Sequence, residues 1–166
     1  MKLMKAFTFA IVFLIFACGD VVSQSFWHNP YKDLEGNFVT MNEIKGEKYT
    51  VIDFWATWCK PCIKSIPEIV KMNNDYLDQG IVFIGVDVDS PRNLAKVRPF
   101  ALSKGINYPV LLDTEQELMT ALNVSVLPTF VILDPKGRRV YTHEGFVIGE
   151  EKALRLQIEK LLAGEE

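Results

Sequence analysis

"DFWATWCKPC", Asp53 to Cys62, sets two cysteines two residues apart directly after an apolar run. Upstream, "YTVIDFWA" (Tyr49–Ala56) is rich in β-branched and aromatic residues and nearly unbroken in hydrophobicity, as a strand buried on both faces should be. Downstream, between Lys60 and Leu77, Ile63, Ile66, Ile69, Val70, Met72 and Leu77 follow helical spacing in part. Asn73 is the polar exception, and Pro67 is expected to kink the helix because its ring removes one backbone bond. The stretch thus predicts a strand, a tight joint and a helix, with Cys59 at the helix start. Unpaired N–H groups and the helix dipole favour negative charge there, so Cys59 is expected to ionise more readily than a free thiol. Lys60 adds a positive charge beside it, and Pro61 suits the first helical turn. Cys62 falls one turn further in, more shielded, where it can attack a mixed disulfide formed on Cys59.

Other uses of the pair fit less well. A zinc site takes about four ligands and one CxxC supplies two. The histidines, His28 and His143, lie far off without ligand spacing, so no metal is expected. A c-type haem site needs His after the second cysteine, where Ile63 stands. As a staple, so small a ring removes little chain entropy. No cofactor is called for.

The chain has 166 residues, 49% apolar and 23% charged, with net charge −3. That is ordinary globular composition, long enough for one core, and nothing in it is basic enough for a nucleic-acid partner. The N-terminus differs: Lys2 and Lys5 precede the apolar run Ala6–Ala17, which is too short to span a bilayer comfortably and reads as an export signal. Two exits are open. Val21 and Ser23 suit cleavage before Gln24, whereas "IFAC" (Ile15–Cys18) resembles a lipobox, with Cys18 as a lipid-anchored N-terminus. The expected organisation is a signal over residues 1–23 and one domain over 24–166, exported to a periplasmic, disulfide-permissive compartment either free or as a lipoprotein. Nothing demands more than a monomer.

Gln24–Asp33, which shows no clear period, is read as a leader crossing the surface. A short strand at Phe38–Val39 and a brief helix near Met41–Ile44 follow. "IVFIGVDVD" (Ile81–Asp89) reads as a second buried strand. Pro91–Lys104 carries Leu94, Val97, Ala101 and Leu102 on a helical stripe. "YPVLLD" is a short strand, and "TEQELMTALNV" a short helix with Thr114 as N-cap and Glu117 completing a capping box. "PTFVILDPKGRRVYTHEG" is a hairpin turning at Pro135–Gly137. Glu150–Leu162 closes the chain as an amphipathic helix with Ala153, Leu154, Ile158, Leu161 and Leu162 inward. Alternating strands and helices followed by a hairpin and helix predict an α/β domain with a central mixed sheet flanked by helices.

"VIDFWATWCKPC" resembles the active-site segment of the thioredoxin superfamily. "VLPTFVILDPKGRRV" resembles that superfamily's cis-proline loop and hairpin, and Gly145 falls where it has a glycine before its last helix. The stretch from "GIVFIGVDVDSP" to "YPVLLDTEQELMTALNV" resembles the extra helix and strand of the TlpA/ResA-like branch, exported thiol-disulfide oxidoreductases that are often membrane-anchored. The resemblance implies a thioredoxin-like fold with that insertion. It makes Cys59 the attacking thiol, Cys62 the resolving thiol and Pro128 a cis-proline that offers the Leu127 backbone to a partner chain. Trp58, Lys60 and Pro61 would shape the partner-binding surface. Asp53 stands where cytoplasmic-type thioredoxins carry a buried acid, one whose pKa burial should raise and which would relay a proton to or from Cys62. Asparagine is common there in the TlpA/ResA-like branch. Ser65 occupies the position of a glutamate found in several of its members, and is read as a solvated helix residue. Peroxiredoxins share the fold but resemble Pro-x-x-x-Thr-x-x-Cys; here Thr57 is two residues before Cys59 and the proline is absent.

The expected partners are protein disulfides or dithiols and an upstream electron donor, with reduction the expected direction. The alternatives are an oxidising, disulfide-forming member of the same fold and a non-redox peptide-binding or chaperone module.

Overall fold

The strand preceding the cysteines is β3 (Tyr49–Trp55), all but its first residue buried. It pairs in parallel with β4 (Ile81–Asp87) and antiparallel with β6 (Thr129–Leu133). The computed structural model describes residues 25–165; the expected export segment and Cys18 lie outside them. Around the three central strands, β1 (Pro30–Asp33), β2 (Phe38–Thr40), β5 (Val110–Leu112) and β7 (Arg139–Glu144) complete a seven-stranded mixed sheet of order β2-β1-β5-β4-β3-β6-β7. The helices are α1 (Met41–Ile44), α2 (Lys60–Tyr76), α3 (Leu94–Ser103), α4 (Glu117–Ala121) and α5 (Glu151–Ala163).

Paired strand residues share a face, so period-2 alternation sorts the core. Val51, Phe83, Phe130 and Ile132 lie on one face and pack with Ile69 and Met72 of α2 and with Leu154 and Ile158 of α5. Trp55, also on that face, stacks on Phe100 of α3 with ring centroids 5.5 Å apart. Both parallel crossovers, through α2 and α3, run to this side, as right-handed connections require. The opposite face carries Ile52, Phe54, Ile84 and Val131 in one cluster with Phe26, Met41 and Leu118.

The structure corrects several sequence readings. Residues 25–33 are no surface leader: a 3-10 turn, Ser25–Trp27, leads into β1, and Phe26, Trp27 and Tyr31 are buried. β1 is held by its neighbours β2 and β5 rather than by any period of its own. Thr114 does not cap α4. The Asp113 carboxylate accepts the N–H groups of Leu118 and Met119 instead, at 3.1 and 2.9 Å, while Gln116 turns the chain at φ 57°. Leu102 and Ala153 face solvent.

Gly85 is the close approach that lets the central face close. A Cβ there would lie 2.9 Å from the Trp55 indole nitrogen and 3.1 Å from the Tyr108 ring. Both side chains are buried and cannot swing aside. Gly85→Ala is therefore expected to lower stability by about 1–3 kcal/mol through overpacking, read as a reduced urea midpoint with unchanged slope.

Candidate active site

α2 begins at Lys60 because Cys59 steps out of helical geometry (φ −79°, ψ 100°), and its sulfur accepts the Cys62 N–H at 3.3 Å. The Cys59 N–H donates to Ala56 O at 3.1 Å and the Cys59 carbonyl accepts the Ile63 N–H at 3.0 Å, fixing the joint from both sides. Cys59 and Cys62 form a disulfide, with Cα atoms 5.3 Å apart. Cys62 is fully buried. Cys59 keeps only 4% of its surface. That remainder opens into a groove of about 370 Å³ lined also by Trp58, Val88, Gln116, Met119 and Leu127. Trp58 is 62% exposed beside it. The Leu127–Pro128 peptide bond is cis, with Pro128 buried and Leu127 on the groove wall. Lys60 and Pro61 line both this groove and a second of about 300 Å³ on the other side. The structure thus gathers Trp58, Cys59, Lys60, Pro61 and Leu127 at one surface, with Cys62 behind.

Asp53 is fully buried on the face of β3 that also carries Val51 and Trp55. Burial pushes its pKa up to about 7, a rise partly offset by the Tyr108 hydroxyl, which donates to Asp53 Oδ2 at 3.2 Å. Asp53 Oδ1 has no hydrogen-bond partner among the described residues. A carboxyl in this setting exchanges a proton near neutral pH, whereas an exposed one does not.

Four contributors escaped the sequence reading. Tyr108 is one. Asp87 is another: it pairs with Trp55, shares its face, and neither carboxyl oxygen has a partner among the described residues. Burial, then the adjacent Asp89, push its pKa up to about 8. Asp89 itself is committed to Thr57, accepting its N–H at 2.6 Å and its hydroxyl at 3.1 Å, and so clamps the loop leading to Cys59. The only sequence signal for these acids was "VDVD", two aspartates at strand spacing in an apolar run. Ser65 is also not where the sequence put it: it is fully buried, and its hydroxyl donates to Cys62 O at 3.0 Å.

A strand-to-helix dithiol beside a cis-proline loop, on a mixed sheet with a terminal hairpin and helix, defines a thioredoxin-like protein. The AhpC/TSA family model matches residues 23–141, and the chain belongs to that family. It is 34% identical over 109 residues to thiol-disulfide oxidoreductase ResA of Bacillus subtilis (strain 168); the match covers 66% of this chain and 59% of that protein. The solution structure of a thioredoxin-like protein from Porphyromonas gingivalis superposes with TM-score 0.68 at 34% identity, covering 82% of this chain and 91% of the other. StoA from Bacillus subtilis gives TM-score 0.65 at 26% identity, covering 78% and 95%.

Between the ordinary carboxyl value of 3.8 and the folded value of about 7, the unfolded chain has released the Asp53 proton and the folded protein has not. Stability from this group therefore falls as pH rises through that window and is level above it. Asp53→Asn is expected to be near neutral at pH 4 and to stabilise the oxidised protein by about 4 kcal/mol at pH 8. Urea titrations of both proteins at each pH check this; Asp87 titrates in both and cancels in the difference.

Proposed function

We propose that the protein is a thiol-disulfide oxidoreductase that reduces disulfides in partner proteins outside the cytoplasm. The observation that carries the reading is the Cys59 sulfur at the N-cap of α2, accepting an amide N–H and opening onto the groove beside Leu127–Pro128. In the reduced protein the Cys59 thiolate attacks one sulfur of a partner disulfide. The other partner sulfur leaves as a thiolate and takes up a proton. Cys62, deprotonated, then attacks Cys59, breaking the mixed disulfide and releasing the second partner thiol. Two electrons pass to the partner, and Cys59–Cys62 is left oxidised for a dithiol donor to reduce. The amide N–H groups at the start of α2 and the Lys60 charge stabilise the attacking thiolate. The Leu127 backbone beside the groove gives an extended partner segment an edge for pairing.

Asp53 supports the proton-transfer step of this chemistry. A buried carboxyl that accepts a proton near neutral pH serves the step in which Cys62 must lose one. ResA, a relative by sequence, is named a thiol-disulfide oxidoreductase, which agrees with this chemistry. Lys2, Lys5 and the run Ala6–Ala17 support export, with processing before Gln24 or lipidation at Cys18 and the remaining chain as one domain.

Insulin reduction with a dithiol donor tests the activity. Cys59→Ser is expected to abolish it, and Cys62→Ser to accumulate mixed disulfides with partner proteins. The Cys59 thiol, followed by alkylation rate against pH, should titrate below the free-thiol value of about 8.5. Equilibration with a glutathione buffer should leave the pair oxidised under conditions that keep a DsbA-like couple near about −120 mV reduced. Full insulin reduction by Cys59→Ser would overturn the assignment, and a strongly positive potential would reverse its direction.

A further inference from the structure

Two grooves meet at Lys60 and Pro61, which line both, and the first is also lined by Cys59; together they make a trough beside the dithiol with one arm on each side of that pair. Its two arms differ in charge. One arm ends at Gln116, flanked by Glu115 and Glu117, which line an adjoining recess with Asp113 and a single cation, Lys32. The other arm has an apolar wall of Phe146, Val147 and Ile148, with Lys60 and Lys64 along its side. Val147 and Ile148 are 66% and 78% exposed, an unusual cost for β-branched side chains on a loop. Lys60 and Lys64 stand one turn apart on α2, on the same side of the helix.

Neither lysine forms an ion pair with any carboxylate among the described residues. The nearby acids are committed elsewhere. Glu68 pairs with Lys71 at 2.7 Å. Glu150 accepts the Val147 N–H and Glu151 the Gly149 N–H, each at 2.7 Å, and Glu150 lies 3.5 Å from His143. In a chain of net charge −3, two uncommitted cations beside an exposed apolar wall at the reactive sulfur form a complementary surface.

Building on the oxidoreductase reading, we propose that this trough selects extended client segments bearing apolar side chains and carboxylates next to the reactive cysteine. The apolar side chains cover Val147 and Ile148, and the carboxylates meet Lys60 and Lys64. The acidic flank at Gln116 repels the same carboxylates from the other arm, so charge fixes the direction in which the client lies as well as its identity.

The test uses three disulfide-linked peptides with one apolar core and Glu, Gln or Lys beside the cysteine. With full-length protein at low ionic strength, kcat/KM for the Glu peptide should exceed that for the Lys peptide by about tenfold. The ratio should approach one in 0.5 M salt, since roughly that concentration screens charges beyond a few ångströms. Lys64→Glu, outside the dithiol, should abolish the preference, since the new carboxylate offsets Lys60. Ile148→Ser should slow all three peptides severalfold while leaving reaction with a small aromatic disulfide unchanged. Equilibrium binding of the oxidised protein to the same peptides, with serine in place of cysteine, reads docking without chemistry. Tighter binding of the Glu peptide supports the proposal even if no exchange occurs, in which case only the oxidoreductase reading falls. Equal kcat/KM and equal affinity for the three peptides overturn the proposal while leaving that reading intact.

Discussion

The rest of the molecule is arranged around one sulfur held where a helix begins. The Cys62 N–H aimed at Cys59 Sγ is an orphan amide of the first turn of α2, a group that needs an acceptor whatever the function. In most helices a serine, threonine or aspartate oxygen supplies it. Here a sulfur does, and the stabilising interaction for the helix is also the one that favours a thiolate. Its geometry is over-determined. β3 fixes the approach through pairing on both edges, Ala56 O and the Ile63 N–H fix the backbone of Cys59, and Asp89 holds Thr57 two residues before it. A joint fixed from so many directions keeps its donors aimed whether or not the disulfide is closed, and such preorganisation makes them effective.

The buried aspartates divide into two kinds, those that accept backbone amides and those that do not. Asp89, Asp113 and Asp134 each accept backbone N–H groups: Thr57; Leu118 and Met119; Lys136 and Arg138. Asp134 also pairs with Arg138 at 2.7 Å, and its pKa is lowered by these hydrogen bonds and the guanidinium despite some burial. These acids fix turns and loops at little cost. Asp53 and Asp87 are compensated far less, Asp53 by the Tyr108 hydroxyl alone; both are raised, chiefly by burial. A fold selected for stability alone would place apolar residues there, as it does at the neighbouring Val51 and Phe83. Asp53 and Asp87 sit on one face of adjacent strands with Trp55 beside them, close to the end of the sheet from which the Cys59 loop leaves. The destabilisation they bring is concentrated beside the loop that leads to Cys59.

Much of this was legible because it is local. β3, the start of α2, α1 and the Pro135–Gly137 turn follow from runs a few residues long, and the dithiol follows from spacing plus a strand on one side and a helix on the other. What escaped is non-local. β1 has one buried residue in four, and besides its hairpin with β2 it is held by Leu111 and Leu112, some eighty residues later. Asp53 could be read as a raised acid, but not that Tyr108 would reach it across 55 residues. Helical periodicity placed Leu102 and Ala153 inward by angle alone, yet a partner must stand opposite to bury them. Thr114 lost the cap of α4 to Asp113, whose carboxylate reaches two amides where a threonine hydroxyl serves one.

The segment between β4 and β6, which distinguishes this chain from a minimal thioredoxin-like sheet, does more than widen the sheet. α3 lays Phe100 against Trp55, the next loop brings Asn107 to Asn73 of α2 at 3.3 Å, and Tyr108 follows to donate to Asp53. β5 then pairs with β4 and gives β1 its place. One insertion therefore seals the acid from water, supplies the single hydrogen bond that moderates its pKa, and joins the N-terminal hairpin to the sheet. The Asp53 proton affinity reflects both effects at once: burial raises it and the Tyr108 hydroxyl lowers it. The two arrive on the same strip of chain, so a change in how α3 and its loop pack moves the proton affinity of the buried acid without touching either cysteine.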